Sequence, residues 1–170
     1  MLADDPQLTA RPAGDRKLTR IVLDRRARTP VDSKLVTSAE AMKDESPVLI
    51  FVGPKAPQTN IDKLRKSGCE VHVAASNDSK EFFDELLLLL GSRSVTNLMV
   101  EGGAEILRQF FKQKLVDEVH CFIAPVEINA DTARAPFVAD SASELALEIG
   151  LRHFLIRDVA GDELLVGRFE

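Results

Sequence analysis

The segment MVEGGAEILRQFF, residues 99–111, puts a carboxylate and two glycines where a short apolar run gives way to a helical pattern. Each residue type there has a chemical use. Glycine lets a phosphate approach the backbone with no Cβ in the way. A helix starting at Gly103 turns its free N–H groups, and the positive end of its dipole, toward the same point. Glu101, between an expected buried strand and a helix start, is costly to desolvate unless a polar group pairs with it, so it is a candidate acceptor for a polar substrate. The bland alternatives are a tight strand-to-helix turn with no ligand and a solvated glutamate. No GxGxxG dinucleotide fingerprint follows.

The rest of the composition narrows the classes of partner. A chain of 170 residues, 45% hydrophobic and 29% charged, fits one globular domain with a real core. A net charge of -5 carries no basic stripe, and with no Trp or Tyr there is little to stack on bases, so no nucleic acid is expected. Cys69 and Cys121 form no CxxC or Cys/His cluster, which argues against a zinc site and a disulfide framework. Both are expected as small buried hydrophobes in a reducing compartment. The longest apolar run, Leu86–Leu90, is too short to cross a membrane, and the acidic MLADDPQL start lacks a signal-peptide pattern, so the cytoplasm is expected.

Elements that could position the glycine turn are legible by period. Residues 18–24, 47–52, 69–75, 96–100 and 117–125 read as strands, and residues 25–34 as a loop. Helices are expected over 60–67, over 78–91 with Asp78 or Ser79 as cap, and after Gly103, where Ala104, Leu107 and Phe111 share a face. Residues 126–143 read as loop. Leu145, Leu147, Ile149 and Leu151 keep period two, HFLIRDV continues the pattern, and Gly161-Asp162 turns it into ELLVGRF, an antiparallel hairpin. Strands alternating with helices predict an α/β fold: a parallel sheet covered on both faces, with an antiparallel edge. Such sheets bind ligands at the carboxyl ends of strands, and residue 101 is at one.

TNLMVEGGAEILRQFFKQKLVDEVHCFIAP resembles the hallmark segment of the reductase domain of the bifunctional riboflavin-biosynthesis deaminase–reductases. LADDPQLTAR (2–11) and RIVLDRRARTPVDSKLV (20–36) resemble two further segments of that domain, in the same order. The resemblance implies one domain over 1–170 with a dihydrofolate-reductase-like fold: a mixed, mostly parallel sheet flanked by helices, closed by a C-terminal antiparallel hairpin. It implies an NADPH-dependent oxidoreductase that reduces the ribosyl group of 5-amino-6-(5-phosphoribosylamino)uracil to the ribityl form. By position in the family's motifs, Glu101, Leu8 and Arg11 fall to the substrate. Asp4, Gly102, Gly103, Ala104, Glu105 and Ile106 fall to the cofactor. Arg25 stands at the adenosine end, where an arginine would read the 2′-phosphate that distinguishes NADPH from NADH. Asp5, Lys17 and His120 are left as structural, and no residue is assigned a covalent or proton-transfer role.

Three departures from the family pattern matter. The family's opening strand with its Lys and Ser-x-Asp-Gly segment, the helix after it and the second strand are not written before Met1, nor is the zinc deaminase half. The position after the VLD strand, often a small hydroxyl residue, is Arg25. The stretch after IAP is VEINADTARAP, without the usual glycines. On these grounds a short, N-terminally truncated reductase with impaired activity is expected. The alternatives are a non-catalytic dimerisation or nucleotide-binding fragment and a related reductase with another substrate. The apolar closing segment, and the family's habit of pairing, predict a homodimer.

Overall fold

The computed structural model describes residues 4–10, 18–126, 136–137, 139 and 141–169. They fall into two units, Met1–Thr96 and Asn97–Glu170, each built on its own three-stranded sheet. In the first unit β1 (Arg20–Leu23), α1 (Lys34–Thr37), β2 (Val48–Val52), α2 (Gln58–Lys66), β3 (Glu70–Val73) and α3 (Ser79–Ser92) alternate along the chain. The three strands are parallel in the order β1-β2-β3, with Arg20 opposite Val48 and Leu49 opposite Glu70.

The central strand, VLIFV, is buried at every position, as a parallel strand covered on both faces must be. Successive side chains of a strand point to opposite faces. Val48, Ile50 and Val52 accordingly join Leu35, Val36, Ile61 and Leu64 in one core cluster. Phe51 meets Phe82 of α3 edge-on at 4.8 Å. Helix ends follow local chemistry. Asp78 accepts hydrogen bonds from the N–H groups of Lys80 and Glu81, so it is the cap of α3. Gly68, at φ +85°, ends α2, and a Cβ there would lie 2.9 Å from the Glu40 backbone.

The second unit holds α4 (Ala104–Lys112), β4 (Glu118–Ile123), α5 (Ala142–Glu148), β5 (His153–Val159) and β6 (Asp162–Arg168). Its sheet is antiparallel, ordered β4-β6-β5. Leu145, Ala146, Leu151 and Leu165 form its core, with Ile123, Phe137, Phe154 and Phe169 against them. The fold is thus mixed α/β, with a parallel sheet and a hairpin-closed antiparallel one, consistent with the dihydrofolate-reductase-like class.

Four expectations need correction. Residues 96–100 lie in neither ladder, and Met99 is 80% exposed, so TNLMV is not a buried strand. Its residues favour a strand, but a strand exists only where another backbone pairs with it. Residues 142–148 are helix rather than strand: Ser141 caps them by accepting from the Glu144 N–H, and Ala142, Leu145 and Ala146 are buried at helical spacing. Residues 34–37 add a single turn of helix beyond the expected loop, capped by Ser33. The hairpin turns at Ala160-Gly161, one residue early, with φ of +57° and +96°. Positive φ at both central positions matches the twist of the flanking strands.

Candidate functional site

The glycine turn is built as its residue types require. Gly102 and Gly103 take φ of +70° and +67°, a region that side chains with a Cβ rarely adopt. Gly103 is the N-cap of α4 and supplies no side-chain acceptor; its carbonyl receives the N–H groups of Ile106 and Leu107. A Cβ at Gly102 would meet nothing within 4 Å, so the backbone here stands open to a ligand. Glu101 is exposed beside it, and Ala104 and Ile106 are half-buried. Glu105 is exposed in the first turn, where its carboxylate favours the helix but opposes an anion at the same end. It accepts from the Gln109 side chain at 3.0 Å, which holds it along the helix.

In the first unit, Asp4 is an exposed turn residue, while Leu8, at φ +53°, lays its side chain against the core cluster. Neighbouring Asp5 accepts from the Lys34 N–H at the start of α1, in keeping with a structural role. Arg11 lies outside the described residues, as do the glycine-poor residues 127–135. Arg25 follows β1 directly. Its guanidinium lies 4.0 Å from the centre of the Phe82 ring, and its Nη1 donates to the Asn77 carbonyl at 2.7 Å.

Around Arg25 the structure shows a cleft of about 600 Å³, with Arg26, Arg28, Lys55, Asn60 and Asn77 on its walls. These residues follow the carboxyl ends of β1, β2 and β3, where a parallel sheet offers its ligand crevice. Arg28, Lys55, Asn60 and Asn77 were not singled out by the sequence reading. The available signal was three arginines within four residues, directly after a strand. Asp4, Leu8 and Arg25 belong to the first unit and Glu101 through Ile106 to the second, so each group is placed within its own unit.

Among the described residues no group of three or more His, Cys, Asp or Glu could hold a metal. Both cysteines are free thiols; Cys69 is buried and Cys121 half-buried, and burial raises the pKa of each. His120 contacts Glu118 on its own strand at 2.6 Å, and Glu118 is held low by its hydrogen bonds to His120 and Arg168.

The parallel sheet with its cation-lined crevice in the first unit, and the glycine turn opening a helix in the second, belong to a mixed α/β protein consistent with the dihydrofolate-reductase-like class. The chain belongs to the family of the RibD C-terminal domain, which matches residues 1–149. It is 27% identical, over 98% of its length, to riboflavin biosynthesis protein RibD of Actinobacillus pleuropneumoniae, and spans 43% of that relative. It is 31% identical to the 2,5-diamino-6-ribosylamino-4(3H)-pyrimidinone 5′-phosphate reductase of Aquifex aeolicus, over 91% of the chain and 66% of that enzyme. The enzyme of the same name from Methanothermobacter thermautotrophicus is 34% identical, over 89% of the chain and 67% of that enzyme. The chain therefore spans less than half of the bifunctional relative and about two thirds of the two reductases.

Proposed function

We propose that the chain, as one reductase domain over 1–170, carries the NADPH-dependent reduction of a phosphorylated ribosylaminopyrimidine to its ribityl form. The observation that carries this is the match to named reductases along nine tenths of the chain, with the glycine turn inside it. When bound, the reduced nicotinamide supplies the hydride. It is accepted at C1 of the opened sugar, whose nitrogen gains the balancing proton. The protein's own contribution is positioning, which brings donor and acceptor to within about 3–3.5 Å.

The residues fit such a cofactor. Within the second unit, the open backbone at Gly102 and Gly103 suits a phosphate; within the first, the cationic cleft suits an anion. In the second unit Glu101, exposed beside the turn, is assigned to the substrate; in the first, Leu8 and Arg11 stand at the positions the resemblance gives to substrate. Asp4 and Arg25 serve the cofactor, with Ala104, Glu105 and Ile106 following the turn. The domain works in the cytoplasm as a homodimer, without nucleic acid.

The test is a steady-state assay of the chain with NADPH and either 5-amino-6-(5-phosphoribosylamino)uracil or its 2-amino analogue, followed by loss of NADPH absorbance. Glu101→Gln should weaken substrate and spare the cofactor. Absence of turnover with both substrates, at NADPH levels that saturate binding, would reduce the chain to a nucleotide-binding module.

A further inference from the structure

We infer that Glu85 of α3 is a positioning residue: joined to His72, it fixes the segment between β3 and α3, and that segment holds Arg25 in place for the cofactor. The inference rests on the proposed cofactor role of Arg25 and adds the residues that set its position. Arg25 does not stand alone. One face of its guanidinium lies over the Phe82 ring at 4.0 Å, and its Nη1 donates to the Asn77 carbonyl at 2.7 Å. Where Arg25 sits therefore depends on where residue 77 sits.

Residues 74–78 are a short connection pinned at both ends. The Ala74 N–H donates to the Val52 carbonyl at 2.8 Å, and Asp78 caps α3. Ala75 and Asn77 are exposed, so apolar burial does not hold the stretch between, and hydrogen bonds must. Glu85 supplies the middle anchor. Its Oε2 accepts from the Ala75 N–H at 2.8 Å, while its Oε1 meets His72 Nε2 at 2.6 Å. One carboxylate thus joins β3 to the segment that leaves it.

His72 is itself held. Its ring stacks on Phe51, its register partner on β2, with centroids 4.8 Å apart and planes within 6°. Phe51 meets Phe82 edge-on, so the imidazole and the Arg25 guanidinium rest on one row of rings. Glu70, two residues earlier on β3, is paired with Arg93 through both its oxygens. That leaves Glu85 as the carboxylate on the ring. The bond to His72, with that of the Ala75 N–H, holds its carboxyl low against desolvation. The simpler use of such a pair is to fasten α3 to β3, but an exposed ion pair contributes little in that way. The second oxygen, on Ala75, is what gives this one a task at the loop.

The experiment is NMR of the full chain, beside titration with NADPH. In the wild type the ring beneath Arg25 should shift its Nε–H signal upfield, and Phe82→Leu should abolish that shift, which identifies the signal. Glu85→Ala should move it most of the way to the position of an unstacked arginine. Glu85→Gln should keep it, because an amide can still accept from Ala75 and donate to an imidazole nitrogen. The alanine variant should bind NADPH about fivefold more weakly, the weight of one hydrogen bond. It should add no loss in an Arg25→Ala background, since the two residues act as a unit. Melting temperatures should stay close to wild type; if the alanine variant does not fold, His72→Leu should move the same signal. An Arg25 signal unmoved in these variants, or a Glu85→Ala loss that persists in full without Arg25, overturns the inference. A signal that moves as expected in a chain that binds no NADPH counts against the cofactor reading alone.

Discussion

A buried arginine is tolerable only if its donors find oxygens, and Arg20, 2% exposed at the start of β1, meets that condition. Its Nε and Nη2 donate to the Ser46 carbonyl at 2.9 and 2.8 Å, and its Nη1 to the Ser38 hydroxyl at 2.7 Å. The side chain therefore ties β1 to the segment that leads into β2. Arg20→Met would leave the Ser46 carbonyl without those donors, and should destabilise by about 2–3 kcal/mol in urea unfolding. Cys69, close enough for Arg20 to act on it, shows the other consequence of burial. Its thiol is pushed up to about 11 from an ordinary 9.0 by desolvation, with Arg20 partly offsetting this. The unfolded thiol ionises at the lower value and the folded one does not. Stability is therefore present below pH 9 and is lost as pH rises toward 11. The loss should reach about 2–3 kcal/mol across that window. Urea midpoints of wild type and Cys69→Ala at the two ends check it: the alanine variant should lack this share of the decline.

At the scale of elements, the sequence was most legible where one signal sufficed. VLIFV can only be a strand buried on both faces, and Asp78 before an amphipathic run marks a helix start. The glycine turn was equally plain, because positive φ at two successive positions asks for glycine. Two elements were misread for opposite reasons. Leu145, Leu147, Ile149 and Leu151 alternate like a strand, yet Ala142, Leu145 and Ala146 also satisfy a helical period, and the Ser141 cap decides between them. Residues 96–100 have strand composition, but pairing is a property of the tertiary structure and no local letter states it. The cleft was half visible: three nearby arginines announce charge, whereas Lys55 and Asn77 arrive from other loops through the sheet. Two predictions belong here. Ser141→Ala removes the acceptor for the Glu144 N–H and should destabilise by about 1 kcal/mol in thermal unfolding. Gly103→Val puts a branched Cβ at φ +67° on the backbone a phosphate would approach. It should abolish NADPH binding while circular dichroism stays native; an unchanged titration would remove the turn from the site.

At the scale of the molecule, the question is what covers the outer face of the antiparallel sheet. Residues paired across a ladder share a face. Phe122 pairs with Leu164, and His120 with Val166, which in turn pairs with Leu155. The neighbours Cys121, Ile123 and Leu165 point the other way, into the core. Phe122 and Leu155 are 62% and 59% exposed, so this face presents large apolar side chains that the second unit itself does not bury. The strands flanking it are sheet edges, with Glu118, His120 and Arg168 as polar company. An apolar face of this kind marks an association surface. A second copy would present the same residues in a two-fold arrangement, each patch facing its equivalent. The expected outcome is a homodimer at tens of micromolar by light scattering. Phe122→Glu together with Leu155→Glu should shift the mass to that of one chain. These side chains point outward, so the melting transition should survive at low concentration. A wild-type chain that stays monomeric, or a double variant that stays dimeric, would place the contact elsewhere.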